Sequence, residues 1–185
     1  LSTARDDLVV AVVQTGSNGP VAVFTGGAAS TSLLPTSTLN ATDVFAVADR
    51  SLRRVSNGLF RPRSGAAATS NGTHIFVAGG LTGTSFATFA SDIDVFDGSL
   101  SRVASSSLFQ LSVARGYLSA ATVRFQSRHV SLFAGGCDLA QHKATVDVFD
   151  HNTQRRIVDA LSDQRKEIAV GVVGQFAVFA GGVRF

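Results

Sequence analysis

The segment V-S-L-F-A-G-G at residues 130–136 decides the fold of this chain, because it joins five strand-forming residues to a pair of glycines and recurs along the sequence. Similar segments are V-A-V-F-T-G-G (21–27), H-I-F-V-A-G-G (74–80) and F-A-V-F-A-G-G (176–182). The second glycines of successive pairs are 53, 56 and 46 residues apart. A recurrence at this spacing indicates an internal structural repeat.

Two further motifs keep the phase of the repeat. The first three glycine pairs are each followed by an aspartate-containing segment, namely T-D-V-F (42–45), I-D-V-F-D (93–97) and V-D-V-F-D (146–150). The last three pairs are each preceded by an arginine-containing segment, namely F-R-P-R-S-G-A-A-A (60–68), L-S-V-A-R-G-Y-L-S-A-A (111–121) and L-S-D-Q-R-K-E-I-A-V (161–170). Three motifs that recur in the same order and phase indicate that the repeat is real.

Each repeat is expected to form a four-stranded antiparallel meander. The segments before the glycine pairs are apolar at nearly every position, so both faces of these strands need covering. The turn S-N-G-T (70–73) is an Asn-Gly hairpin signal. The glycines are expected to end a strand where the backbone turns sharply and crowds the neighbouring sheet. A weaker outer strand, such as 53–55 or 155–158, is predicted to complete each unit.

The chain resembles kelch-repeat proteins, through its L-S-x-A-R, F-A-G-G and V-D-V-F-D motifs. The resemblance implies an all-β fold, a kelch-like β-propeller segment of about three and a half four-stranded antiparallel blades. One domain over 1–185 would contain repeats at about 5–55, 56–108 and 109–160 and a half-repeat at 161–185. The usual blade tryptophan is absent, so we expect phenylalanines to supply the packing bulk, with Phe133 and Phe179 buried between adjacent blades.

The repeated polar and small residues are interpreted as structural. We expect Asp43, Asp94 and Asp147 to pair with Arg63, Arg115 and Arg165 through charge-assisted hydrogen bonds, because catalytic residues break a repeat whereas these residues keep it. The other members of this structural set are the paired glycines, Gly26, Gly27, Gly79, Gly80, Gly135, Gly136, Gly181 and Gly182.

No catalytic, cofactor-binding or metal-binding set stands out in the sequence, and we predict that the chain is not an enzyme. The nearest approach to a metal set, Cys137 with Asp138 and His142, occurs in one repeat only and is interpreted as structural. Some copper oxidases use kelch propellers, but they hold their metal with tyrosines and histidines, and this chain has a single tyrosine, Tyr117.

Composition excludes other classes of protein. The net charge of +3 comes from scattered arginines without a continuous basic stripe, so no nucleic-acid partner is expected. The longest apolar run, residues 8–13, is far shorter than the roughly 20 residues of a membrane-spanning helix, so no membrane span is expected. One cysteine excludes an internal disulfide. Because methionine is absent, the chain is expected to be a processed product or an excerpt.

Two features indicate outward-facing functions. Asn40 and Asn71 begin N-glycosylation sequons, which favours a secreted protein carrying N-glycans. The loops after the glycine pairs differ in sequence while their flanking strands repeat, and such loops are where binding usually resides. The apolar side chains in these loops are Leu33, Leu34, Phe86 and Phe89.

The sequence is compatible with three functions. The first is a non-enzymatic structural or protein-binding module, extracellular or at the cell surface, glycosylated, and adhesive or fibre-forming. The alternatives are an intracellular, cytoplasmic kelch substrate-adaptor module and a non-catalytic part of a larger kelch-propeller enzyme. The last strand, near 176–180, is expected to have an open edge that binds a protein partner or a second copy of the chain.

Overall fold

The computed structural model describes residues 1–16, 19–29, 37–55, 58–83, 88–103, 109–153 and 155–184. Sixteen β-strands make up the regular structure of these residues. No helix in the described segments is long and apolar enough to cross a membrane.

The strands form four successive sheets. The first sheet and its small added ribbon contain β1 (Val9–Gln14), β2 (Pro20–Thr25), β3 (Ala28–Ala29), β4 (Ser37–Thr38), β5 (Thr42–Ala46) and β6 (Leu52–Val55). The second contains β7 (Ala67–Ser70), β8 (Ile75–Ala78), β9 (Ile93–Phe96) and β10 (Arg102–Val103). The third contains β11 (Ser119–Phe125), β12 (Arg128–Ala134), β13 (Thr145–Asp150) and β14 (Arg155–Ala160), and the fourth contains β15 (Ala169–Val173) and β16 (Phe176–Ala180).

The four-stranded antiparallel sheets confirm the predicted meander. Strand order is β1-β2-β5-β6, β7-β8-β9-β10 and β11-β12-β13-β14, with β3 and β4 forming a separate two-stranded ribbon. The first strands of successive sheets contact each other, from β1 to β7, from β7 to β11 and from β11 to β15. This all-β arrangement is compatible with a segment of a β-propeller.

The core lies between neighbouring sheets. Val13, Val23 and Val44 of the first sheet pack with Ile75 and Val77 of the second. The alternate residues of β8, Phe76 and Ala78, pack instead with Phe133 and Phe149 of the third sheet. Because successive residues of a strand point to opposite faces, β8 is covered on both sides, and all four of its residues are buried. This burial explains the absence of polar alternation in the sequence.

Phe133 and Phe179 occupy equivalent positions in their repeats but differ in burial. Phe133 is 1% exposed and contacts Phe149 edge-on, at 5.8 Å between ring centroids. Phe179 is only half-buried, so the expectation of a buried Phe179 is wrong. In the described residues the fourth sheet has two strands, and β16 therefore has no neighbour corresponding to β13 to cover this ring.

Candidate functional site

The glycine pairs connect each sheet to the next. Every glycine of the four pairs has a positive φ, between 66° and 103°, a range that residues with a Cβ rarely adopt. The amide of the second glycine donates to the backbone carbonyl of the arginine in the following repeat. These bonds are Gly27 to Arg63, Gly80 to Arg115 and Gly136 to Arg165, each 2.9 Å long.

The first glycine of each pair allows this close approach. A Cβ on Gly26 would lie 2.8 Å from the Arg63 carbonyl oxygen, and one on Gly135 would lie 2.5 Å from that of Arg165. No described atom lies within 4 Å of the corresponding point on Gly181. The pairs therefore serve sheet-to-sheet packing, and the last pair has no described sheet to contact.

The arginine side chains reach back into their own sheets. Arg63 Nη2 lies 2.8 Å from Asp94 Oδ2, and Arg115 Nη1 lies 2.8 Å from Asp147 Oδ2, with both arginines fully buried. Arg63 Nη1 also donates to the Gly79 carbonyl at 3.1 Å, and Arg115 Nε donates to that of Gly135 at 2.8 Å. Each arginine thus joins the D-V-F strand of its sheet to the glycine turn.

The ionisation of these pairs follows from their burial. Burial raises the pKa of Asp94, against the opposing effect of Arg63, and burial lowers the pKa of Arg115, against the opposing effect of Asp147. A buried charge without its partner is costly. The pairs are therefore structural elements, and their burial keeps them from meeting a substrate.

The pairing differs from the expectation at both ends of the chain. Asp43 binds Arg5, at 2.8 Å, rather than Arg63, Arg115 or Arg165. Residues 1–5 read L-S-T-A-R and are a fourth copy of the arginine motif, so the first repeat includes them. At the other end, no carboxylate in the described residues lies within ion-pair distance of Arg165, which donates to Gly181 O at 3.1 Å.

Equivalent residues of the four repeats meet around one cavity. Gly65 N donates to Asp7 O (3.1 Å), Tyr117 N to Gly65 O (2.7 Å) and Glu167 N to Tyr117 O (3.0 Å). Each of these residues follows the motif arginine by two positions and has a φ between 49° and 57°. Side chains from these positions and from the loops after the glycine pairs surround a cavity of about 490 Å³, lined by Asp7, Leu81, Phe89, Tyr117, Cys137, Asp138, Leu139, Lys166 and Glu167. We call this the convergence cavity.

The convergence cavity combines two aromatic rings, carboxylates and one ammonium group. Lys166 Nζ lies 5.1 Å from the Tyr117 ring centroid and 3.0 Å from Glu167 Oε1. Burial raises the pKa of Asp7, with a further contribution from Asp6 and Glu167. Burial also raises the pKa of Tyr117 and of the Cys137 thiol, so both stay protonated at neutral pH. A protonated thiol is a weak nucleophile, and the groups present favour binding over covalent chemistry.

A hydrogen-bonded network crosses the junction of the second and third sheets. The sequence motifs did not predict it. It runs from Thr69 Oγ1 to Thr122 Oγ1 (2.9 Å), to Ser131 Oγ (2.6 Å), and then to His151 Nε2 (2.8 Å). Burial, with smaller effects of His129 and His74, lowers the pKa of His151 to about 4. Ser131 is fully buried, so this serine–histidine contact serves packing and offers no nucleophile to a substrate.

The remaining predicted residues have the following places. Leu33, Leu34 and Phe86 lie outside the described residues, whereas Phe89 is half-buried and lines the convergence cavity. Asn40 is exposed. Asn71 is half-buried, and its Oδ1 accepts hydrogen bonds from the backbone amides of Thr73 (3.0 Å) and His74 (2.7 Å).

The Cys137 loop is held by backbone pairing. Cys137 forms β-bridges with Gly116 and His142, and Asp138 pairs with Lys143 at 2.6 Å. In the segments that the structure describes, no group of three or more His, Cys, Asp or Glu side chains is placed to hold a metal ion.

Comparison with models of known protein families finds no match, and comparison with curated protein sequences finds none either.

Proposed function

We propose that this chain is a non-enzymatic propeller module of the kelch-repeat type that works by binding other proteins. The observation that carries the proposal is the convergence cavity. Its framework is the same backbone hydrogen bond repeated from sheet to sheet, while the side chains that line it differ at the equivalent positions Asp7, Tyr117 and Glu167. A constant scaffold that carries variable groups around a concavity is the usual arrangement of a binding surface.

The two N-glycosylation sequons favour an extracellular location for this protein. We place the protein outside the cell or at the cell surface, with N-glycans on the exposed Asn40 and on Asn71. Intact-mass measurement of protein from its natural source, before and after glycosidase treatment, tests this placement. A lower mass after glycosidase treatment is expected, and an unchanged mass would favour the cytoplasmic alternative.

Cross-linking through lysines tests whether a protein binds at the convergence cavity, because the chain has few lysines and they lie at or beside this cavity. The sequence contains only two lysines, Lys143 and Lys166. Lys166 lines the convergence cavity, and Lys143 pairs with Asp138, which also lines it. An amine-reactive cross-linker applied to the protein in its natural source should therefore join one or both lysines to a second protein, which mass spectrometry of the linked peptides would locate.

A pair of variants separates specific binding from chance capture. Leu139 lines the cavity and is 65% exposed, so Leu139→Arg should abolish the cross-links without unfolding the chain. Phe125 is 45% exposed at the far end of β11, and Phe125→Arg should leave them intact. Cross-links that survive Leu139→Arg would contradict a protein-binding role for this surface. So would lysines that carry only mono-linked reagent, whose second reactive end has been hydrolysed by water.

A further inference from the structure

A second cavity lies between the second and third sheets, at the end of β8 opposite the convergence cavity. The turn 71–74, which precedes β8, supplies its polar wall, whereas Leu81 of the convergence cavity follows β8. The two cavities share no described residue. The second cavity has a volume of about 310 Å³, and we call it the His74 cavity.

The apolar wall of the His74 cavity includes Phe76, Val95 and Phe109. Phe76 and Val95 are buried, and Phe109 is half-buried. The rings of Phe76 and Phe109 are 6.3 Å apart between centroids and are tilted by 38°. Val103, which is exposed, also lines the cavity, so the cavity reaches the protein surface. Aromatic rings pack well against other rings in tilted or offset arrangements, and this wall therefore favours an aromatic ligand.

The hydrogen bonds of the polar wall fix the tautomer of His151. Asn71 Oδ1 accepts hydrogen bonds from the backbone amides of Thr73 and His74. The atom 3.3 Å from His151 Nδ1 is therefore Asn71 Nδ2. An amide nitrogen only donates, so His151 Nδ1 accepts, and its Nε2 carries the proton that is donated to Ser131 Oγ at 2.8 Å. Both ring nitrogens of His151 are thus engaged, and neither is available to a ligand.

The same reasoning leaves an acceptor on His74. The Thr73 hydroxyl donates its single proton to Asn71 Oδ1, at 3.0 Å. Thr73 Oγ1 therefore accepts a hydrogen bond from His74 Nδ1, also at 3.0 Å. A neutral imidazole with its proton on Nδ1 is an acceptor at Nε2, and no described residue donates to this nitrogen. The half-buried His74 thus brings an available acceptor to the wall beside Phe76.

We propose that the His74 cavity binds a small neutral aromatic molecule with one hydrogen-bond donor on its ring, such as a phenol or an indole. The ring packs against Phe76 and Phe109, and the donor bonds to His74 Nε2. The ligand is neutral because no Asp, Glu, Lys or Arg lies among the described residues that line the cavity, and an unpaired charge is costly to bury. A mostly apolar cavity with a few convergent polar groups is typical of small-molecule sites, and this one has the volume of a small member of that class.

This ligand and this surface differ from the protein partner of the convergence cavity. The inference therefore goes beyond the proposed function and stands or falls separately.

Two matched probes test the site. Para-fluorophenol carries the ring and the donor, whereas para-fluoroanisole carries the ring without the donor, and fluorine NMR follows both without background from the protein. The 185-residue chain is produced without N-glycans, because Asn71 lines the cavity, and is studied at about pH 7.5, where an ordinary histidine is mostly neutral. Saturable binding of para-fluorophenol is expected. Para-fluoroanisole should bind at least about tenfold more weakly, because it leaves the acceptor of His74 unpaired.

A histidine variant locates the binding. His74→Leu removes the acceptor, so it should weaken binding of para-fluorophenol to the level of para-fluoroanisole and leave binding of para-fluoroanisole unchanged. His129→Leu is the matched control, because His129 is a half-buried histidine that does not line the cavity, and it should keep the difference between the two probes.

Three results would overturn the inference. One is the absence of saturable binding of para-fluorophenol to the unmodified chain. Another is equal binding of the two probes to the unmodified chain, a comparison that does not depend on any variant folding. The third is a preference for para-fluorophenol that His74→Leu leaves intact.

Discussion

Gly135 and Gly181 occupy the same place in successive repeats and have nearly the same φ, 66° and 69°. Alanine at either position would meet the cost of a left-handed backbone, about 1–2 kcal/mol. Only at Gly135 would the new methyl group also overlap the next sheet, at Arg165 O, which adds about 1–3 kcal/mol of overpacking. Urea unfolding should therefore show Gly135→Ala to be the more destabilising substitution. Equal losses would mean that the glycines serve the turn alone.

Arg115 and Arg165 form a second matched pair. Replacing Arg115 by leucine leaves the buried Asp147 with only the more distant Arg156, at 3.8 Å, and should lower the free energy of unfolding by about 3–5 kcal/mol. Arg165→Leu removes hydrogen bonds to Gly181 and Ser162 but strands no buried carboxylate, so a loss of about 1 kcal/mol is expected.

Denaturant unfolding of both arginine variants gives the comparison directly. A loss at Arg115→Leu no larger than that at Arg165→Leu would contradict the structural role assigned to the buried pairs.

The residues that sequence reasoning found, and those it missed, differ in what the fold requires of them. Gly135 and Arg115 were found because close approach and a buried ion pair each demand one residue type, and the demand recurs. Phe89 was found through its variable loop, but the equivalent positions beside the convergence cavity were missed because their contact runs through backbone groups, which any side chain permits. Tyr117 and Glu167 therefore share a backbone position but no visible motif. The arginine motif at 1–5 was overlooked, although the letters L-S-T-A-R were available as a signal.

At the scale of strands, burial on both faces made the meander predictable. The β8 segment and residues 130–134 of β12 are apolar at nearly every position and precede glycine pairs, so their phase could be predicted from the sequence. The burial of a single residue was less predictable, as Phe179 shows, because it depends on whether a strand like β13 lies beside it. The two-residue strands β3, β4 and β10 gave no periodic signal at all.

The junction of the second and third sheets should depend on pH through His151. Its pKa is about 4 in the folded chain, because burial disfavours the charged ring, whereas an unfolded histidine has a pKa of about 6.5. Between these values the unfolded chain binds more protons than the folded chain. The contribution of His151 to the free energy of unfolding should therefore be fully present above about pH 6.5 and be lost progressively as the pH drops towards 4.

His151→Gln removes the titration and keeps a side chain that can hydrogen-bond Ser131. The difference between urea midpoints at pH 7 and pH 5 should therefore shrink in this variant. It should persist in His129→Gln, which changes a neighbouring histidine outside the Thr69 to His151 network. A pH dependence that His151→Gln leaves unchanged would place the titrating group elsewhere.

Over the whole molecule, the sheets are held together by nearest-neighbour junctions, each with the same glycine-to-arginine hydrogen bond. In such an array stability is approximately a sum of unit and junction contributions. The second and third sheets have a described neighbour on each side. The fourth has one, and its exposed apolar side chains include Val170, Val172, Phe176 and Val178. Stability should therefore be lowest in the fourth sheet.

Hydrogen exchange measures this gradient in the intact chain. Amides in β15 and β16 should exchange at least about tenfold faster than the equivalent amides of β11 and β12, because a difference of about 1.4 kcal/mol in the free energy of opening is sufficient. Peptide-resolved mass spectrometry of the 185-residue chain, at low concentration and neutral pH, makes the comparison, with β7 and β8 as a second internally packed reference. Protection of β15 and β16 equal to that of β11 and β12 would contradict this gradient.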